Sequence, residues 1–182
     1  MDEENRWRKR RNGSGLLLLL FLIAALGYPL WHWRHLGHPL ASATHVDLCS
    51  RLANLTGTGT WRAQPLDGGG YAGGCQWQDA GGKLQLQVLL ATTRSAGMDL
   101  SNGIQQWRDE VRATAGPGVV VKESGDEGQR VLAWRTPRGG NRLAEDEGVQ
   151  VQVLAPTLDD ATVDASLVWI KSALRRDSAS AQ

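Results

Sequence analysis

The stretch that decides the fold is CQWQDAGGKLQLQVLLA, residues 75–91 of the 182-residue chain. In its second half, four apolar side chains alternate with polar ones: Leu84, Leu86, Val88 and Leu90. Alternation with a period of two is typical of a half-buried β-strand, because successive side chains point to opposite faces of a sheet. Turn-forming residues at Asp79–Gly82 separate this strand from a shorter alternating segment that begins at Cys75. The stretch therefore predicts two adjacent strands joined as a hairpin.

Three further strands are predicted in the second half of the chain. Valines alternate with glutamines within residues 148–155, and two shorter apolar segments precede them at 119–121 and 129–136. The short connections between these segments are rich in glycine and turn-forming residues, which favours antiparallel pairing. Residues 57–74 are rich in glycine and threonine, and we expect them to form a long loop or an irregular edge strand.

Three helices are expected to cover the sheet. The first begins at Thr44, with Asp47 three residues later as in a capping box, and ends before Gly57. The second begins at Ser101. The third begins near Thr157 and carries acidic residues in its first turn and basic residues in its last, which complements the helix dipole. We therefore predict an α+β fold, in which an antiparallel sheet of about five strands is covered by about three helices.

An uncharged segment, residues 12–33, precedes this domain. As a helix it would be about 33 Å long, enough to cross a hydrocarbon layer of about 30 Å. We predict a single N-terminal transmembrane helix at residues 16–33, with tyrosine and tryptophan rings at the bilayer surface. A cleavable signal peptide is the alternative, but its best cleavage site, residues 41–43, lies 15 residues beyond the apolar run that ends at Leu26.

The charges on either side of this segment predict its orientation. Five basic residues precede it and only Arg34 closely follows it, so the positive-inside rule keeps the N-terminus in the cytoplasm. The chain then divides into five parts. We predict a basic cytoplasmic tail (1–15), the anchor (16–33), a juxtamembrane linker (34–43), an extracytoplasmic α+β domain (44–176) and a disordered tail (177–182).

The overall composition excludes two classes of protein. The chain has 20 Lys and Arg residues against 19 Asp and Glu residues, and 41% of its residues are hydrophobic. Such a balance differs from that of disordered acidic chains and of strongly basic nucleic-acid-binding proteins. No nucleic-acid partner is therefore expected, and the lipid bilayer is the first partner that the sequence indicates.

Cys49 and Cys75 are the two cysteines of the chain, and both follow the anchor. In an oxidising compartment such a pair favours a structural disulfide. A redox pair usually has Cys-x-x-Cys spacing, and half of a metal site would need further ligands. Closing a loop of 26 residues would stabilise the fold by roughly 3.5 kcal/mol.

Two short motifs resemble a known group of proteins. The segment Asp47–Leu52, Asp-x-Cys-Ser-x-Leu, and the Cys-x-Trp of residues 75–77 are similar to motifs of small bacterial cell-envelope proteins, mostly actinobacterial lipoproteins of unknown function. The resemblance implies a compact α+β sandwich of the kind seen in the photosystem extrinsic-protein and Ran-binding Mog families. It also implies a binding or accessory domain without known catalysis, on the periplasmic side of a bacterial inner or plasma membrane.

Histidines are confined to the region around the linker. His32, His35 and His38 are spaced by three, so on a continuing helix two imidazoles could share a metal ion. Gly37 and Pro39 indicate instead that the helix ends there. We interpret these histidines as solvated interfacial residues, and we expect neither a metal ion nor a cofactor.

The domain lacks histidine after residue 45, so a Ser-His-Asp or Cys-His arrangement cannot form within it. Catalysis would depend on carboxylates near Glu145 and Asp160. A solvated turn explains the acidic residues near Glu145, and a helix start explains those near Asp160. Residues 68–73 match a Gly-x-Gly-x-x-Gly pattern, but the strand and helix that such a phosphate site requires are not predicted around them.

Aromatic residues supply the candidate partner contacts, namely Trp61, Tyr71 and Trp134. Large rigid rings give contact area at little entropic cost. Trp61 could be exposed in its glycine-rich loop or could pack over the disulfide, whereas Trp107 and Trp169 are expected in the core.

Two hypotheses about function follow. The first is a non-catalytic, membrane-tethered extracytoplasmic binding or accessory protein, as one subunit of a cell-envelope complex with an envelope protein as its partner. The alternative is an envelope hydrolase that uses Glu145, Asp160 or a bound metal. An open sheet face would favour the first hypothesis, and a concave pocket that converges on acidic residues would favour the second.

Overall fold

The computed structural model of the protein describes residues 38–55, 59–67, 70–97, 100, 103–114, 119–125 and 129–176. They belong to one compact unit, which begins at His38. Seven strands and four helices are described. The strands are β1 (Arg62–Leu66), β2 (Gly73–Gln78), β3 (Leu84–Thr92), β4 (Val121–Ser124), β5 (Val131–Thr136), β6 (Gly139–Asp146) and β7 (Val149–Ala155), and the helices are α1 (Leu48–Arg51), α2 (Thr93–Ala96), α3 (Gly103–Thr114) and α4 (Asp160–Arg176).

The strands form one antiparallel sheet in the order β1-β2-β3-β7-β6-β5-β4. It consists of two meanders, β1 to β3 and β4 to β7, which meet where β3 pairs with β7. The hairpin predicted within residues 75–91 is confirmed as β2 and β3. The last strand of each meander therefore lies inside the sheet, and β1 and β4 form its two edges.

The prediction of about five strands was wrong, because the sheet has seven. One additional strand, β1, lies at the sheet edge within the segment expected to be a loop or an irregular edge strand. The other, β6, follows the turn at Pro137-Arg138 and lies in the interior of the sheet. Its sequence, GGNRLAED, lacks apolar alternation because charged side chains occupy buried positions that would ordinarily be apolar.

The turn between β6 and β7 consists of Glu147 and Gly148 alone, since Asp146 pairs directly with Val149. Both turn residues have positive φ angles, 45° and 89°. This is the geometry of a two-residue primed turn, whose twist matches that of the flanking strands. The Glu-Gly pair was therefore a local sign of a hairpin within a segment that we interpreted as a charged turn.

The helix predictions were correct for two of the four helices. Helices α3 and α4 correspond to the second and third predicted helices. Helix α1 has only four residues and begins after Asp47, not Thr44, because the Asp47 carboxylate caps it by accepting the Ser50 N–H at 3.0 Å. Helix α2 was not predicted, and it follows β3 directly with Thr92 as its cap.

The two faces of the sheet differ in how they are covered. On the face that we call the α4 face, Trp77, Val88 and Val151 form the main core together with α1 and α4. Helix α4 contributes its buried apolar stripe to that core: Val163, Leu167, Ile170 and Leu174. On the opposite face, called the α3 face, a smaller core joins Ile104 and Val111 of α3 to Leu132 and Leu143.

Buried charges connect β6 to α4. Arg142, which is 3% exposed, donates from Nε to Oδ1 of Asp164 at 2.6 Å and from Nη2 to Oδ1 of Asp160 at 3.1 Å. Asp146 is equally buried, and its Oδ2 accepts the Arg175 Nε–H at 2.9 Å. Because these pairs lie near the two ends of α4, they determine where the helix sits on the sheet.

The predicted disulfide is confirmed, since Cys49 and Cys75 are bonded and their Cα atoms are 5.2 Å apart. It links α1 to β2 on the α4 face, where Cys75 is fully buried.

Several predicted segments lie outside the described residues: the basic tail (1–15), the anchor (16–33) and the C-terminal tail (177–182). Within the part of the chain that is described, no helix is both long and apolar enough to cross a membrane. Of the predicted linker, residues 38–43 belong to the compact unit, and Leu40 is buried in the main core.

Replacing Cys49 and Cys75 together by alanine should lower the free energy of unfolding by about 3.5 kcal/mol, because the unfolded chain regains the entropy of an open 26-residue loop. Urea denaturation followed by circular dichroism measures the change. Wild-type protein treated with a reductant should lose the same amount. A difference below about 1 kcal/mol would show that the closed loop contributes little.

Arg175→Ala should lower the free energy of unfolding by about 3 kcal/mol, because it leaves the buried Asp146 carboxylate without its ion-pair partner. The neighbouring Arg176→Ala is the matched control. Arg176 is exposed and, among the described residues, donates to the Ser172 carbonyl within its own helix, so its loss should change stability by less than about 0.5 kcal/mol. Equal effects of the two substitutions in urea denaturation would argue against the buried pair.

Candidate functional site

Among the described residues, helix packing covers only part of the α3 face. Helix α3 packs against β4, β5 and β6, and no described helix packs on this face over β1 and β2. Strand pairing aligns one residue from each strand in a row across the whole face. From β1 to β4 this row, which we call the amide row, is Gln64, Gln76, Gln87, Leu154, Asn141, Trp134 and Val121.

A second row runs beside the amide row on the same face: Leu66, Gly74, Leu89, Gln152, Leu143, Leu132 and Glu123. Gly74 places no side chain on this part of the surface. A Cβ atom at this position would lie 2.8 Å from the Leu66 Cβ and 3.0 Å from the Leu89 Cδ2. The two leucine side chains can therefore approach each other over β2.

A groove of about 220 Å³ lies where the covered and uncovered parts of this face meet. Its floor is formed by β3, β7 and β6, and indole rings stand on the side of α3. We call it the amide groove, and define it by Gln87, Leu89, Gln152, Leu154, Trp107 and Trp134. All six side chains are half-buried, so each retains surface that a ligand could contact.

The amides of the α3 face differ in how far they are already bonded. Gln76 donates to the Gln64 amide oxygen at 2.9 Å, and the Tyr71 hydroxyl donates to Gln152 Oε1 at 3.3 Å. Asn141, which also lines the groove, donates to the Gly139 carbonyl at 3.0 Å. Gln87 makes no side-chain hydrogen bond to any residue that the structure describes. The groove therefore offers donors and acceptors that are partly or wholly available.

Among the described residues that line the groove, none carries an available charge. Arg142 contributes to its lining, but the register of β6 directs its guanidinium to the α4 face, where Asp160 and Asp164 pair with it. Glu123, at the far end of the second row, is paired with Arg108 at 3.5 Å and with Arg130 at 3.9 Å.

The three predicted contact residues have different positions. Trp134 lines the groove, and Tyr71 reaches the same face through its hydrogen bond to Gln152. Trp61 is half-buried against the main core and is not part of the groove. Trp107, expected in the core, both packs on the smaller core and lines the groove.

Sequence reasoning missed Gln87, Gln152 and Asn141 as site residues. Asn141 lies on β6, whose sequence lacks apolar alternation. The signal for the two glutamines was the polar half of the alternation in β3 and β7, where glutamines alternate with apolar residues. That pattern indicates an exposed face, but it does not indicate which strands lie side by side.

The two carboxylates of the hydrolase hypothesis lie on opposite sides of the sheet. Glu145 pairs across the sheet with Gln150 on the α3 face and is buried. Asp160 begins α4 on the other face, where hydrogen bonds from Arg135 and Arg142 lower its pKa. The sheet between them prevents these carboxylates from acting on one substrate.

A second cavity, of about 290 Å³, lies beside α1 and β1 and contains Asp47 and Asp67. Asp47 is already engaged, since it accepts the Ser50 hydroxyl at 2.6 Å and the Ser50 N–H at 3.0 Å. These hydrogen bonds lower the pKa of Asp47. Among the described residues, no group of three or more histidine, cysteine or acidic side chains could hold a metal ion.

The histidine candidates divide between two regions. His32 and His35 lie outside the described residues. His38 is buried, its Nδ1 accepts the Leu40 N–H at 3.2 Å, and its Nε2 lies 4.0 Å from Asp146 Oδ2. Burial lowers the pKa of His38 to about 4, although the Asp146 charge opposes this, and Arg175 and Lys171 add to the lowering. His38 is thus a neutral part of the domain interior at pH 7.

No protein-family model matches the chain, and no curated protein matches it. The family resemblance of the Cys-Ser-x-Leu and Cys-x-Trp motifs therefore stays a prediction.

Stability should fall as the pH drops from 6.5 towards 4, because the unfolded chain protonates His38 near pH 6.5 while the folded protein holds it neutral. Near pH 5 the loss should be about 2 kcal/mol relative to pH 8. His38→Asn keeps an acceptor for the Leu40 N–H and cannot titrate, so this part of the pH dependence should vanish.

His45→Asn is the control for the pH experiment, because His45 is exposed. Urea denaturation at several pH values measures each variant. If the stability of His38→Asn falls as steeply as that of His45→Asn when the pH is lowered, His38 is not the group responsible for the pH dependence.

Proposed function

We propose that the chain is a membrane-tethered extracytoplasmic binding protein, accessory to a bacterial cell-envelope complex, and that it binds through the uncovered part of its α3 face. The observation that carries this proposal is the sheet surface over β1 to β3 and β7. It presents amide and apolar side chains that are half-buried or exposed, and two tryptophans border it. A groove flanked by aromatic rings and a few polar groups is a usual form of ligand site.

The sequence and the disulfide support the membrane tether and the extracytoplasmic location that we propose. The uncharged residues 12–33 follow a basic segment, which favours a cytoplasmic N-terminus and an exported domain. The bond between Cys49 and Cys75 suits an oxidising compartment, because disulfides are rare where thiols are kept reduced.

The arrangement of carboxylates supports binding over catalysis. Asp160 is held by arginines on the α4 face, and Asp47 caps α1. Neither belongs to the groove, whose described lining consists of amide, aliphatic and indole groups together with the ion-paired Arg142. General acid-base catalysis by two carboxylates requires both to reach one substrate.

A photo-cross-linking amino acid placed at Gln76 in the full-length chain should form adducts in intact bacterial cells, because Gln76 lies on the uncovered face. The matched control is the same amino acid at Val168. Val168 is 70% exposed and lies on α4, on the other side of the domain. Electrophoresis of the full-length protein after irradiation measures the adducts, with a C-terminal alkaline phosphatase fusion to report export.

Adducts from Gln76 and none from Val168 would support the proposed binding surface. No adduct from Gln76, or equal adducts from both positions, would contradict it. An inactive phosphatase fusion would contradict the extracytoplasmic location, whatever the cross-linking result.

A further inference from the structure

We propose that the amide groove binds an uncharged, polyhydroxylated ligand, namely a neutral glycan chain. This inference depends on the proposed function, and it adds the chemical class of the ligand. Three properties of the groove carry it: its indole rings, its amides and its neutrality.

The indoles of Trp107 and Trp134 supply the apolar contact. Both line the groove on the side of α3, and both also pack on the smaller core, which restricts their motion. An aromatic face carries partial negative charge and attracts the weakly positive C–H groups of a sugar ring. Leu89 and Leu154 add aliphatic surface to the floor between the polar groups.

The amides match hydroxyl groups in both directions of hydrogen bonding. A carboxamide has two N–H donors and one carbonyl acceptor, and a sugar hydroxyl both donates and accepts. The amide of Gln87 is fully available within the described structure. From the described residues, Gln152 accepts one long hydrogen bond of 3.3 Å from Tyr71, so its NH₂ group remains a donor for a ligand.

The absence of available charge in the described lining determines which glycans fit. A ligand with phosphate, sulfate or carboxylate groups would lose water without gaining a counter-charge, because the guanidinium of Arg142 is paired with Asp160 and Asp164 on the α4 face. A cationic ligand would meet the same penalty. Complementarity of charge therefore favours a neutral ligand.

Two other ligand classes fit the geometry less well. A purely apolar ligand would bury the Gln87 amide and the Gln152 NH₂ group without partners, at a cost of about 1–3 kcal/mol for each group. A peptide that adds a strand requires the unpaired backbone of a sheet edge. The groove lies on the face of β3, β7 and β6, whose backbone groups are already bonded to neighbouring strands.

The amide row gives the site an elongated shape. From Asn141 on β6 it passes through Leu154 to Gln87, and then continues through Gln76 to Gln64 on β1. These five strands span about 19 Å at a spacing of about 4.8 Å. A chain of several sugar units laid across the strands would contact an amide on four of the five.

The test uses the full-length protein in lipid nanodiscs, labelled and applied to an array of neutral and acidic oligosaccharides. We expect binding to neutral glycans and none to their uronic-acid or sulfated counterparts. The affinity for a bound oligosaccharide is then measured by tryptophan fluorescence. Gln87→Leu should weaken it about tenfold, as expected for the loss of hydrogen bonds worth about 1.4 kcal/mol.

Further variants separate binding from folding. Gln78→Leu is the matched control, since Gln78 lies on β2 outside the groove, and it should leave the affinity unchanged. Trp134→Ala should abolish binding, and Trp134→Phe should restore part of it. Circular dichroism confirms that each variant is folded, and Gln87→Leu carries the test if Trp134→Ala does not fold.

Four results would overturn the ligand class: no binding on the array, a preference for acidic glycans, equal affinity after Gln87→Leu, or Gln76 adducts that a protease removes and a glycosidase does not. The last result would leave the proposed binding face intact, because the face would then bind a protein. A complete lack of Gln76 adducts would overturn the proposed function as well.

Discussion

The pairing of two buried charges on β6 with helix α4 is the interaction on which the rest of the structure depends. Arg142 and Asp146 lie in the interior of a seven-stranded sheet, where an unpaired ion costs several kcal/mol. Asp160 and Asp164 neutralise the arginine, and Arg175 neutralises the aspartate. Because the partners lie near opposite ends of α4, both charges are satisfied together only when the helix occupies one position over the sheet.

The uncovered surface follows from this arrangement and from the size of a helix. With α4 and α1 committed to the other face, α3 is the helix that packs on the smaller core. A helix about 10 Å wide covers about three strands spaced at 4.8 Å, and α3 covers β4, β5 and β6. The strands beyond its reach carry glutamines, and the boundary between the two parts forms the groove beside Trp107 and Trp134.

Local patterns predicted much of the fold. Residue spacing revealed the alternation in β2, β3 and β7 and the amphipathic stripe of α4, because strands and helices each have a characteristic period in the sequence. The number of cysteines revealed the Cys49–Cys75 bond, because the chain has two. Strand β6 was missed because its charged residues are stable there only through partners some 20 to 30 residues away in the chain. The candidate site was predicted in part, through Tyr71 and Trp134. Its amides were not predicted, since a glutamine in a strand looks the same whether it faces bulk water or a groove.

The sequence by itself determined the hairpin within residues 75–91 and the disulfide, because these depend on nearest neighbours and on the number of cysteines. Only the tertiary structure decided that β3 pairs with β7 and that α3 packs over β4, β5 and β6 on one face of the sheet. It also decided that Glu145 and Asp160 lie on opposite sides of the sheet. Strand order and helix position result from long-range packing and charge pairing, to which each local segment contributes only one partner.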